Sequence, residues 1–171
     1  MESDYVTRKR HRLERFDYSS PGAYFVTICT KERVNYFWKR LDADPLSKDE
    51  IELSEYGRIV DALINNISAI YPTVVVEHYI IMPDHIHLLI NIHRSGSQND
   101  AQPSLDQIIR HLKGKFSKEV GTSIWQKLFF DHVIRNKEDY EEHIKYIYEN
   151  PLRLHYKMRD SSLQDNLDDE H

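Results

Sequence analysis

With 171 residues and a mass of 20.4 kDa, the chain is long enough to close one hydrophobic core and too short for an eight-fold α/β barrel, which takes ~250 residues. Apolar residues at 40%, charged residues at 30%, five glycines and six prolines exclude a fibrous, linker-rich or wholly disordered chain. The net charge of −5 is local: Asp160, Asp165, Asp168, Asp169 and Glu170 crowd a tail without Lys or Arg, leaving 23 residues of each sign elsewhere, so the sum does not exclude a nucleic-acid partner.

In chain order, Arg8, Lys9, Arg10, Arg12 and Arg15 first make a basic arm. It has no apolar signal region, and nowhere does the sequence approach the ~18 consecutive apolar residues of a membrane span, so a cytoplasmic protein is expected. The turn signal Ser19-Ser20-Pro21-Gly22 leads into a strand over 23–30, where the lone Cys29 reads as a small buried thiol. Residues 39–52 read as an irregular excursion. Ser54 is placed to cap a helix whose apolar stripe is Tyr56, Ile59, Val60, Leu63, Ile64, Ile67 and Ile70, with Pro72 stopping it. Two apolar runs, 74–82 and 86–92, flank Pro83-Asp84 and pair as an antiparallel hairpin.

Ser104 and Gln107 form a capping box for a helix with the stripe Leu105, Ile108, Ile109, Leu112 and Phe116. A short strand over 128–134 precedes a last helix capped by Asn136 and expected to end at Pro151. The order β-α-β-β-α-β-α predicts an α+β, ferredoxin-like two-layer sandwich, an antiparallel sheet with helices on one face.

The sharpest local feature is Pro83-Asp84-His85-Ile86-His87-Leu88-Leu89. Strand alternation sends His85 and His87 to one face and Ile86 and Leu88 to the other, so two imidazoles converge as a bidentate metal clip. The same spacing also fits two histidines on a solvated sheet face. A histidine-triad hydrolase would place a further histidine where Leu89 stands, and a barrel amidohydrolase needs a longer chain.

On the last helix, Tyr140, Ile144, Ile147, Tyr148 and Pro151 fall within about 100° of arc, while Tyr146 points about 140° from their centre. Tyr148 is therefore expected in the core and Tyr146 outside it. Asn150 stands one turn after Tyr146, presenting an amide beside the phenol. A phenol can attack phosphorus, and a divalent ion held by imidazoles and an amide oxygen can make that phosphorus electrophilic; an ordinary exposed helix tyrosine remains the alternative.

These residues resemble a family. His85-Ile86-His87 looks like the histidine–bulky apolar–histidine (HUH) motif of single-tyrosine DNA transposases, and Tyr146-Ile147-Tyr148-Glu149-Asn150-Pro151 looks like the tyrosine helix of the REP-associated tyrosine transposases. Pro21-Gly22-Ala23-Tyr24-Phe25-Val26-Thr27, Met82-Pro83-Asp84, Trp125-Gln126 and His132-Val133-Ile134-Arg135-Asn136 match that family's blocks in order, over roughly residues 8–155.

The resemblance implies a transposase-like catalytic domain over 23–155, between a basic arm (1–22) and a flexible acidic tail (156–171). It implies a metal-dependent endonuclease and strand transferase acting on single-stranded or hairpin DNA. Tyr146 would be the nucleophile forming a 5′-phosphotyrosine, and His85, His87 and Asn150 would hold Mg²⁺ or Mn²⁺. Similar transposases often form homodimers and REP-associated members can act as monomers, so the oligomeric state stays open. Arg8, Lys9, Arg10, Arg12, Arg110 and Lys113 are candidate phosphate contacts, and Trp125 is either a core residue or a base-stacking platform. The rival is a domesticated hairpin-binding protein without transposition activity; a metal-binding protein unrelated to nucleic acid is a third reading.

Overall fold

The computed structural model describes residues 17–42, 44–45, 51–96 and 102–168, with side chains through Ser161. Arg8, Lys9, Arg10, Arg12 and Arg15 of the basic arm lie outside the described residues. Four strands, β1 (Gly22–Cys29), β2 (Val74–Ile81), β3 (His85–Ile92) and β4 (Phe130–Val133), form one antiparallel sheet in the order β2-β3-β1-β4. Helices α1 (Glu55–Asn65), α2 (Ile67–Ile70), α3 (Leu105–Val120) and α4 (Lys137–Asp168) complete the α+β fold. Because β3 lies between β1 and β2, and β1 between β3 and β4, each outer strand is reached by a helical crossover, the ferredoxin-like arrangement.

Local chemistry sets the helix boundaries. The Ser54 hydroxyl accepts from the Gly57 N–H, and Ser104 and Gln107 close the expected capping box at 3.2 and 2.9 Å. Gly121 ends α3 at φ +77°, a left-handed cap that glycine adopts without steric cost. Tyr24, Val26 and Ile28 of β1 and Ile86, Leu88, Ile90 and Ile92 of β3 pack against the stripes of α1 and α3. Cys29 and Trp125 are buried, and Trp125 packs against Phe37 and Phe116, which makes it a core residue and not a stacking platform.

Three expectations change. The crossover helices α1 and α3 cover one face as expected, but α4 lies across the other, where it meets Phe25 and His87. Pro151 does not end α4, which continues to Asp168; its ring removes one backbone donor, a loss an already long and partly packed helix absorbs. Tyr148 is not core: it is 65% exposed, with its phenol 3.0 Å from His78 Nδ1, and the buried stripe runs instead through Ile147, Asn150 and Pro151. A bulge in β2 between Val76 and His78 helps to seat α4. It adds one residue, so Val76 and Tyr79 both face the core while Glu77 turns to accept a 2.7 Å hydrogen bond from Tyr140.

Candidate active site on the second sheet face

Along β3, Ile86 and Leu88 are fully buried in the core, so alternation sends His85 and His87 to the α4 face. Their Nε2 atoms stand 3.1 Å apart with the rings at 78°. His85 Nδ1 lies 2.6 Å from Asp84 Oδ1, which as an acceptor holds the proton at Nδ1 and leaves Nε2 as the lone-pair atom. His87 Nδ1 lies 2.8 Å from the Thr27 hydroxyl, its cross-strand neighbour on β1. Arg33 forms a 2.7 Å ion pair with Asp84 and approaches His85 Nδ1 at 3.3 Å. Burial, aided by His85 and Arg33, pushes His87 down to about 3, so it is neutral at physiological pH. Burial opposes ionisation of Asp84, yet the His85 hydrogen bond and the Arg33 charge outweigh it and hold the carboxyl below the usual carboxylate range.

This donor set fits a divalent ion. Neighbouring ligands of an octahedral ion with ~2.1 Å bonds stand about 3.0 Å apart, close to the observed separation of the two Nε2 atoms. Such an ion would be held by His85 and His87, with Asp84 and Thr27 orienting the rings.

Tyr146 projects from α4 over His87. Their ring centroids are 5.2 Å apart at 70°, and Phe25 stacks on His87 at 5.2 Å while meeting Tyr146 edge-on at 5.9 Å. Phe25, Thr27, His87, His143, Tyr146 and Arg153 line one open cleft of about 460 Å³. Tyr146 remains 37% exposed, and the Arg153 guanidinium sits 5.4 Å from its ring centroid.

Asn150 is only 8% exposed, and its Nδ2 donates to the Tyr146 carbonyl at 3.3 Å, leaving Oδ1 as an acceptor. No hydrogen bond joins it to either histidine among the described residues. Arg110 is exposed on α3, across the sheet from the cleft. The Lys113 ammonium donates to the Gln126 and Lys127 carbonyls at 2.8 and 3.3 Å, and burial lowers its pKa; it serves the fold on the far layer.

Sequence reasoning missed Thr27, Asp84, Arg33 and Arg153, and set His143 three residues before Tyr146 on the same flank without giving it a role. The sequence carried signals for two: Arg153 stands two turns from Tyr146 on the same helix flank, and Asp84 adjoins the histidine motif. Thr27 depends on strand register. Arg33 depends on a tight turn in which Glu32 and Arg33 take φ of 54° and 57°, which no residue preference forecasts.

An α+β domain of ferredoxin-like order, with a pair of imidazoles of which His87 meets a helix tyrosine over one sheet face, defines the structural class. No protein-family model matches the chain. In sequence it is similar to a Haemophilus influenzae protein provisionally named a REP-associated tyrosine transposase, 27% identical over 164 residues, covering 83% of this chain and 77% of that one. It is also similar to the REP-associated tyrosine transposase of Escherichia coli K12, 29% identical over 79 residues, 46% of this chain and 44% of that one. The fold matches a solved REP-associated tyrosine transposase bound to a REP hairpin, with a TM-score of 0.59 at 24% identity over 83% of this chain and 73% of that one. The chain's named homologues are thus REP-associated tyrosine transposases, the family its motifs resemble.

Proposed function

We propose that this chain is a metal-dependent enzyme that cuts and rejoins single-stranded DNA at a hairpin or palindromic repeat, with Tyr146 as nucleophile. The observation that carries the reading is the packing of the Tyr146 ring against His87 in one open cleft. The homologues' names and the hairpin held by the solved fold relative favour DNA as substrate and a hairpin as its form.

In this reading His85, His87 and Asn150 hold Mg²⁺ or Mn²⁺, which when bound withdraws charge from the scissile phosphate. Asn150, whose Nδ2 already donates to the Tyr146 carbonyl, would supply its Oδ1. Tyr146 Oη attacks phosphorus, the bond to the 3′-oxygen breaks, and a 5′-phosphotyrosine and a 3′-hydroxyl result. Phe25 and the stacked His87 hold the phenol over the phosphate, and Arg153 and Arg33 offer charge to the backbone. Arg8, Lys9, Arg10 and Arg12 add charge for DNA through the basic arm, and Arg110 does so on the α3 layer.

The test is a labelled hairpin oligonucleotide with a single-stranded flank, incubated with the protein and Mg²⁺ or Mn²⁺ and resolved on a denaturing gel. A covalent protein–DNA adduct that EDTA abolishes is expected. A shift on a native gel with no adduct would reject the enzyme in favour of the domesticated hairpin binder, and no DNA affinity at low salt would reject both.

A further inference from the structure

A second group of polar side chains adjoins the cleft and has no part in the reading above. His143, one turn before Tyr146, lines the same cleft, and its ring meets Phe25 at 4.5 Å. Its Nδ1 lies 2.8 Å from the Asp139 carbonyl and 3.2 Å from Asp139 Oδ1. Two acceptors around one ring nitrogen require the proton there, so the neutral imidazole carries its lone pair on Nε2, away from Asp139.

The ring is held firmly. Asp139 accepts from His132 Nε2 at 2.9 Å and from the Arg135 N–H at 2.9 Å, while its own N–H donates to Asn136 Oδ1 at 2.8 Å. His132, from β4, stacks on His143 at 4.7 Å and 17°. Burial opposes ionisation of Asp139, but the bonds from His132 and Arg135 keep it an anion.

His132, Asp139 and His143 also bring ligand atoms within 4.8 Å of one another. An ion there would have to displace the Nδ1 proton while that nitrogen faces a helix carbonyl at 2.8 Å, which disfavours a metal. Asn136 already caps α4, so the cluster exceeds what the helix start requires.

We infer that His143, oriented by Asp139 and His132, takes the phenolic proton of Tyr146 at Nε2, directly or through one water. This inference rests on the proposed nuclease reading. As the Oη–P bond forms, the P–O3′ bond breaks and the phenol proton moves to Nε2. In-line attack puts the leaving 3′-oxygen on the opposite side of phosphorus, so that oxygen takes its proton from water, and His143 later releases its own to solvent. On rejoining, the 3′-hydroxyl attacks phosphorus and loses its proton to solvent, the P–Oη bond breaks, and a protonated His143 returns a proton to the phenolate. His143 would thus be a proton-transfer residue, and Asp139 and His132 positioning residues.

The test is single-turnover adduct formation on the hairpin substrate by the wild type and His143→Gln, each with tyrosine or a ring-fluorinated, more acidic tyrosine at position 146. His143→Gln is expected to slow adduct formation by about 10²–10⁴-fold with hairpin affinity within about twofold, and the acidic phenol to recover about tenfold or more of that loss, because it needs the base less. Wild-type rate in His143→Gln, or a loss of equal size with every phenol, would overturn the inference and leave a structural residue. Should His143→Gln fail to fold, Asp139→Asn, which removes the carboxylate that orients the imidazole, is read by the same two criteria. A wild type that forms no adduct at all sinks the nuclease reading first and this inference with it.

Discussion

The two faces of the sheet are built from alternate residues of the same strands and have opposite characters. On one, Val26, Ile28, Ile86, Leu88 and Ile90 meet α1 and α3 in a fully buried apolar layer. On the other, Phe25, Thr27 and His87 meet α4 across an open cleft, His85 stands beside His87, and each histidine is tethered to a polar partner. One face supplies the free energy of folding through burial of apolar area. The rigidity of that layer lets the other carry buried imidazoles that stability alone would not select.

Neighbouring positions on β3 should therefore separate activity from stability. The largest effect belongs to the polar face: His87→Ala and Tyr146→Phe should each cut adduct formation by about 10³-fold or more while hairpin binding, read by native gel shift, stays within about twofold. Undiminished adduct from Tyr146→Phe would reject the nucleophile. Leu88→Ala, one residue from His87, should destabilise the fold by about 2–5 kcal/mol in urea unfolding, with adduct formation per folded molecule retained. Selective loss of activity in that variant would blur the division.

A smaller effect follows from the depressed His87. Its folded value of about 3 lies below the ~6.5 of an unfolded histidine, so between those limits the unfolded chain binds the extra proton. Stability from this group is complete above pH ~6.5 and is lost on acidification, by up to ~1.4 kcal/mol per pH unit. Asp84 and Asp139, whose carboxyls are held low, add loss in the same direction, but below the ordinary carboxylate range. Urea unfolding at pH 7 and pH 5 in metal-free buffer should show a smaller difference for His87→Gln than for the wild type; equal differences would contradict the burial argument. The smallest effect is expected at Tyr148, whose phenol meets His78 at the surface: Tyr148→Phe should cost about 0.5–1 kcal/mol at most and leave the adduct intact.

What the sequence made legible was what depends on neighbours in the chain. The capping box at Ser104, the Asn136 cap, the strand around His85 and the alternation that pairs His85 with His87 are all local, and each stands in the structure. The core stripes of α1 and α3 were readable for the same reason, except that Ile70, read into the first, lies past a break at Asn66 and is 40% exposed. The face of α4 was not, because a helical wheel counts Tyr148 as apolar although its hydroxyl has a partner in His78. The bulge beside Glu77 sits within an apolar run that shows no break, and the continuation through Pro151 depends on packing that offsets a lost backbone bond. Thr27, Arg33 and the stacking of His132 on the i,i+4 pair Asp139–His143 come about only through strand register and the crossing of α4 over β4 and β1, distances in space that residue spacing does not encode.

The central claim is that one particular phenol, and not its neighbours, is set over the histidine pair. It is tested most directly by forming the adduct with a short oligonucleotide and Mn²⁺, digesting with trypsin, and sequencing the modified peptide by mass spectrometry. The peptide beginning at Tyr146 also contains Tyr148, so fragmentation separates the two. The nucleotide mass is predicted on Tyr146. Its appearance on Tyr148 or Tyr140, or on a residue outside α4, would contradict the account.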